Sequence, residues 1–316
     1  MSESAATVMS SPLPTMPPPG TIAESVLVIG EPGAELVGVL ARPADPAQTK
    51  PVGVVIVVGG PQTRVGSHRQ FTIMARALAA AGHACLRFDY TGMGDSPGPR
   101  PDFEKAGPDI GRACDALLAQ VPGCQRIALW GLCDGATAAI FHAQRDPRVA
   151  AVIAANPWAR SEATRAQAIV TEHYGSRLRS GEFWKKLLTG KVNVLAAGTE
   201  AVGNLLRARG AKGGAGSEQA DESLPDRLSR ALASPASPVR LQLSGKDLTA
   251  AEFEIAMKAC GEIAPLPAGA LRLDDADHTF SDSRSWQAVI DDTLEQVDGL
   301  AIHAAAPAQL RSTPGQ

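Results

Sequence analysis

The chain has 316 residues, 44% of them hydrophobic and 20% charged, with a net charge of −3. That length supports one large α/β domain or two small ones. The mild acidity, with no basic run, argues against a nucleic-acid partner, and no apolar run approaches the roughly 20 residues that span a bilayer. Five cysteines (Cys85, Cys114, Cys124, Cys133, Cys260) make an odd count without a C-x-x-C pair. Neither a disulfide framework nor a zinc site is expected from them, and no cofactor is implied. Residues 1–22 are rich in Pro and Ser, with no basic or apolar segment of the kind that opens a signal peptide. They predict a disordered leader, and the chain is expected to be cytoplasmic.

From residue 23 the elements follow a clear rhythm. Residues 25–44, "SVLVIGEPGAELVGVLARPA", predict a hairpin around Glu31-Pro32-Gly33. The continuous run "PVGVVIVVGG" (51–60) predicts a strand buried on both faces of a parallel sheet. A helix with a glycine stop is expected over 69–82, then a strand entering the loop "FDYTGMGDS". That loop lacks the lysine and spacing of a phosphate-binding loop and reads as a structural turn. A helix over 103–120, a strand from Ile127, a helix to about Arg145 and a strand over 149–158 continue the alternation.

The rhythm breaks over 159–235, which includes the low-complexity stretch 206–225 and is expected to form a helical lid. Strands near 239 and 269, each followed by a helix, close a core made of 23–158 and 236–301. The tail, 302–316, is expected to be disordered. Strand–helix alternation of this kind predicts a mostly parallel sheet with helices on both faces, and functional groups beyond the carboxyl ends of its strands.

Residues 127–140, "IALWGLCDGATAAI", have the strand–turn–helix form of G-x-S-x-G with cysteine in place of serine. Cys133 is therefore a candidate nucleophile, and otherwise a small buried residue in a tight turn. Asp247 follows a later strand, and His278 the last one. This order of nucleophile, acid and histidine is that of the α/β-hydrolase fold. His278 would take or share the thiol proton, and Asp247 would orient the imidazole. Asp247 also reads as the cap of the helix beginning at Leu248, and Asp275 and Asp277 compete for the acid's role. The backbone N–H of Asp134 is a candidate oxyanion donor. Pro61 has no N–H, so a second donor falls to Gly60, or to Gln62. Gln62, Trp158, Phe183 and Trp184 could line an acyl pocket, though packing explains the aromatic residues equally well. His68, His83, His142, His173 and His303 read as surface or capping residues, and the other four cysteines as packing. No His/Asp/Glu cluster has metal-ligand spacing.

Together, "VVGGPQTRVGSHRQF", "LRFDYTGMGDSPG", "GLCDGATAA", "ANPWARSEA", "FWKKLLTGKVN", "LSGKDLTAAEF" and "DADHTF" resemble the exosortase A system-associated hydrolases of the first type. The likeness runs from about residue 25 to 300. It implies an α/β-hydrolase fold, a cysteine nucleophile at Cys133 with Asp247 and His278 as acid and base, and a bacterial setting in exopolysaccharide and protein-sorting gene clusters.

A thiolate forms an acyl-thioenzyme, itself a thioester, so exchange with an acyl thioester is nearly balanced in energy, and activated esters and lactones fit too. The expected activity is hydrolysis of an ester or thioester, with a small-molecule acyl substrate that could be carrier-bound. Acyl transfer to an alcohol or amine is the alternative from the same chemistry. A non-catalytic binding partner in an exopolysaccharide or sorting assembly is the alternative of another class.

Overall fold

The computed structural model describes residues 18, 20–160, 222–260 and 269–305. The tail, nearly all of the leader and residues 161–221, with Phe183, Trp184 and His173, lie outside them, as does the side chain of His303.

Eight strands form one sheet: β1 (Ile22–Ile29), β2 (Leu36–Pro43), β3 (Val52–Val57), β4 (Cys85–Phe88), β5 (Arg126–Leu132), β6 (Val149–Ala155), β7 (Val239–Ser244) and β8 (Leu271–Leu273), in the order β1-β2-β4-β3-β5-β6-β7-β8. β1 and β2 are the expected hairpin, pairing antiparallel through eight residues, and β2 meets β4 antiparallel. The other six strands run parallel. All six residues of β3 are buried, which is why its sequence shows no alternation. A strand covered on both faces has no solvent side.

Among the described residues there are six α-helices: α1 (Gln70–Ala80), α2 (Gly107–Gln120), α3 (Asp134–Ala143), α4 (Leu224–Ala233), α5 (Leu248–Ala259) and α6 (Ser283–Ala305). α1 packs with α6 on one face, and α2 with α3 on the other. α2 begins four residues later than the periodicity suggests, after a short 3-10 turn at Phe103–Lys105. Pro108 explains this: it lacks an N–H and is tolerated only in a helix's first turn. α4 falls within the stretch expected as a lid, yet Leu228 is fully buried in the core, and the helix packs against α3 and α5.

An aromatic cluster is built around β5. Trp130 is fully buried, edge-on to Phe71 of α1 at 5.7 Å and to Trp286 of α6 at 6.0 Å. Its indole N–H donates to Gln242 Oε1 of β7 at 3.1 Å. Gln242 in turn donates to Asp292 (2.9 Å) and Thr293 (3.1 Å) of α6, so the buried polar groups satisfy one another. Edge-to-face pairs are worth about 0.5–1.5 kcal/mol each beyond their burial. The strand that leads to the elbow is thus pinned from both helices of one layer. His83, expected at the surface, is instead fully buried. Its ring bridges the Val52 carbonyl and Asp298, 2.8 Å from each, and so joins β3 to α6.

Candidate active site

The parallel strands end level with one another. Val57 pairs with Gly131, and Leu132 with Ala155. One residue, Cys133, separates β5 from α3, and it has φ 62° and ψ −128°. A non-glycine residue there carries strain of about 1–3 kcal/mol, so the surroundings must over-determine it. They do. Its N–H donates to the Ala155 carbonyl at 2.9 Å, and its carbonyl accepts from the N–H groups of Ala136 and Trp158, both at 3.1 Å. The two flanking glycines are required by close approach. A Cβ on Gly131 would lie 2.6 Å from the Gly135 carbonyl oxygen, and one on Gly135 would lie 2.5 Å from that of Val57.

The turn leaves Cys133 half-buried. Cys260 is half-buried too, while Cys85, Cys114 and Cys124 are buried. Burial pushes the Cys114 thiol up to about 12 and that of Cys124 to about 11, and raises Cys85 and Cys260 as well. None of these is prepared as a thiolate near neutral pH.

His278 lies between Cys133 and Asp247. Its Nδ1 is 2.9 Å from Asp247 Oδ2. Burial disfavours its charge, but hydrogen bonds to Asp247 and Cys133 and the charges on both outweigh that and raise its pKa to about 10. Asp247 has two sets of partners. Its carboxylate accepts from His278, and it also caps α5, taking the N–H groups of Thr249 at 3.1 Å and Ala250 at 3.0 Å. Two of those bonds come from a helix N-terminus. The competing acids are engaged elsewhere. Asp275 pairs with Lys246 at 2.7 Å, and Asp277 accepts from the N–H groups of Thr279 and Ser281 in its own loop.

Asn156, immediately after β6, is a residue the sequence pattern did not single out. It is fully buried with φ 43°. Its amide donates to Ser244 Oγ (2.9 Å) and to the His278 carbonyl (3.0 Å), while its oxygen accepts from Ser244 N–H (2.9 Å). It thereby ties the ends of β6 and β7 to the loop carrying His278. The available signal was an Asn after a strand and before Pro157, since Asn tolerates left-handed backbone.

Of the expected oxyanion donors, Gly60 sits in the turn after β3 with φ 60°. Its N–H is occupied: it donates to the Asp134 carboxylate. The Gln62 N–H donates to the Gly59 carbonyl at 3.3 Å, and its side chain donates to Ser67 at 3.0 Å. Asp134 is half-buried. Burial raises its pKa, opposed by the N–H groups of Gly60, Gly135 and Asp134 itself and by Arg100. The Trp158 ring stacks under Arg160 at 4.2 Å, and Arg160 pairs with the buried Glu252 at 2.9 Å. The "FDYTGMGDS" loop wraps the buried Asp89, which accepts from the backbone of Arg64 at 2.6 Å and of Asp95 at 3.2 Å. It is a structural turn.

One further group brings possible metal-ligand atoms within 4.8 Å of each other: Cys114, His142 and Asp146. It spans α2 and the far end of α3, about 13 Å from the elbow at 1.5 Å per residue. Arg148 takes the Asp146 carboxylate with two hydrogen bonds (2.9 and 2.7 Å) and holds its pKa well below the usual range. His142 Nε2 lies 3.0 Å from the same carboxylate, so Asp146 is shared between His142 and Arg148.

Residues 54–292 match the alpha/beta hydrolase family, and the chain belongs to it. Two solved structures share the fold over nearly the whole length. The esterase Pf2001 of Pyrococcus furiosus is 14% identical, with a TM-score of 0.56 over 89% of this chain and 93% of that one. The hypothetical protein PA2218 of Pseudomonas aeruginosa is 16% identical, with a TM-score of 0.58 over 90% and 95%. A comparison with curated proteins returns no match. Among the described residues, no helix is long and apolar enough to cross a membrane.

Proposed function

We propose that this protein hydrolyses an ester or thioester by covalent catalysis through Cys133, His278 and Asp247. The observation that carries this is His278, hydrogen-bonded at Nδ1 to the helix-capping Asp247 and interacting with the strained elbow cysteine. A histidine that stays protonated to about pH 10 beside a thiol favours a thiolate–imidazolium pair.

In the proposed reaction the thiolate attacks the acyl carbon. The C–S bond forms, the tetrahedral oxyanion collapses, and the leaving alcohol or thiol takes a proton from His278. Water then gives a proton to His278 and attacks the acyl-thioenzyme, releasing the carboxylic acid and restoring the pair. The motif-level resemblance to exosortase A-associated hydrolases supports cysteine as the attacking atom and a setting in exopolysaccharide or protein sorting.

The test is intact-protein mass spectrometry of wild type, Cys133→Ala and His278→Ala with acyl thioesters and p-nitrophenyl esters. A single acyl adduct on Cys133 that forms slowly without His278 and clears in water is the expected result. An adduct that persists until an alcohol or amine is added would instead make the protein an acyltransferase. No adduct with any donor, and a Cys133 inert to alkylation, would leave the binding-partner reading.

A further inference from the structure

The hydrogen bond from Gly60 N–H to the Asp134 carboxylate has a chemical meaning if the elbow performs acyl transfer. A carboxylate oxygen is a close stand-in for the oxygen of a tetrahedral intermediate: both are anionic and both seek backbone N–H donors. Asp134 is the first residue of α3, where a side chain is free to point outward. Here it turns back toward the β3 turn and takes the donor that the substrate oxygen would use. Burial raises its pKa, and the N–H groups of Gly60, Gly135 and Asp134 itself oppose that, as does the positive end of the helix.

We propose that Asp134 is a specificity-determining residue that gates the oxyanion hole: its carboxyl group occupies the place of the acyl oxygen, and the substrate must displace it before Cys133 can be acylated. This rests on the covalent reading above. A neutral carbonyl is a weaker acceptor than a carboxylate, so a small ester cannot displace it on that contact alone. A substrate with additional binding groups can, because binding energy from its non-reacting parts is available for the displacement. The residue thus selects against short, unspecific esters and thioesters.

The test compares two reactions of the same sulfur. Acylation by p-nitrophenyl acetate develops an oxyanion; alkylation by iodoacetamide does not. Asp134→Ala removes the carboxyl group, and the near-isosteric Asp134→Asn keeps a weaker, neutral acceptor in case alanine disturbs the turn. Acylation should rise at least about tenfold in the Ala variant and by less in the Asn variant, since one such donor is worth about 10²- to 10³-fold in rate. Alkylation should stay within about threefold of wild type in both.

Slower acylation with unchanged alkylation would make Asp134 a support of the hole, and would overturn the proposal. Equal changes in both reactions would place its effect on the thiolate, and would overturn the proposal as well. Acylation of Cys133 at the wild-type rate in both variants would reject the gate but keep the covalent reading. Absence of an adduct on Cys133 in all three proteins would reject both.

Discussion

The double engagement of Asp247 can be taken apart by substitution. Its carboxylate holds two backbone N–H groups of α5 and the Nδ1 of His278. Loss of an N-cap costs about 1 kcal/mol, within a range of 0.5–2. The pair with His278 adds about 1 kcal/mol or less, because the imidazole is 35% exposed and water screens the interaction. Asp247→Ala should therefore destabilise the protein by about 2 kcal/mol. Asp247→Asn keeps a good cap and should cost about 1 kcal/mol. At roughly 2–4 °C per kcal/mol for chains of this size, scanning calorimetry should place the Ala variant about 4–8 °C below wild type and the Asn variant about 2–4 °C below. Acylation of Cys133 should behave differently. Both variants lose the carboxylate that sets the imidazole's orientation, so both should slow by about 10³- to 10⁴-fold. Stability would separate the two substitutions while reactivity would not. An Asn variant that acylates at the wild-type rate would refute the role of Asp247 toward His278. Equal melting temperatures for the two variants would refute its role as a cap.

Three further outcomes are expected from the site. The His278 pKa is raised from 6.5 in the unfolded chain to about 10 in the folded protein, so its contribution to stability is complete below about pH 6.5 and disappears as pH rises through 10. Alkylation of Cys133 by iodoacetamide at about pH 7 should slow in His278→Ala; an unchanged rate there would show that another group activates the sulfur. Asn156→Ala leaves the buried Ser244 N–H without its partner and frees the His278 carbonyl, which should cost about 2–3 kcal/mol in urea denaturation and slow acylation at unchanged alkylation. Gly135→Ala places a methyl group 2.5 Å from the Val57 carbonyl oxygen; an overpacking cost of about 2–3 kcal/mol is expected by the same assay, and a variant as stable as wild type would contradict the close approach.

What could be read from the sequence was local or periodic. β3 and β5 are apolar runs bounded by glycines, the elbow is a spacing of two glycines about a cysteine, and the order of Cys133, Asp247 and His278 follows from strands in succession. What could not be read depends on where side chains meet across the fold. His83 looks like a polar residue after a helix, yet its two nitrogens find partners on β3 and α6 and so tolerate full burial. Asn156 joins positions 88 and 122 residues away, which no local pattern encodes. Gly60 was legible as a donor near the elbow, but the Asp134 carboxylate that takes its hydrogen bond depends on a rotamer and not on a residue type. The place of α4 is similar: its sequence is amphipathic, but only the contact with α3 and α5 shows which surface it covers.

The pairing of β6 directly with β7 has a consequence for how such a protein can change over generations. The chain leaves the described body after Arg160, which is held by Glu252, and returns at α4, which is seated in the core. Departure and return belong to neighbouring strands, so the ladder between them fixes their register. Change over generations is therefore constrained at the paired positions, where Val152 meets Val239 and Ala155 meets Gln242, because this ladder brings Asn156 to Ser244 and to the loop carrying His278.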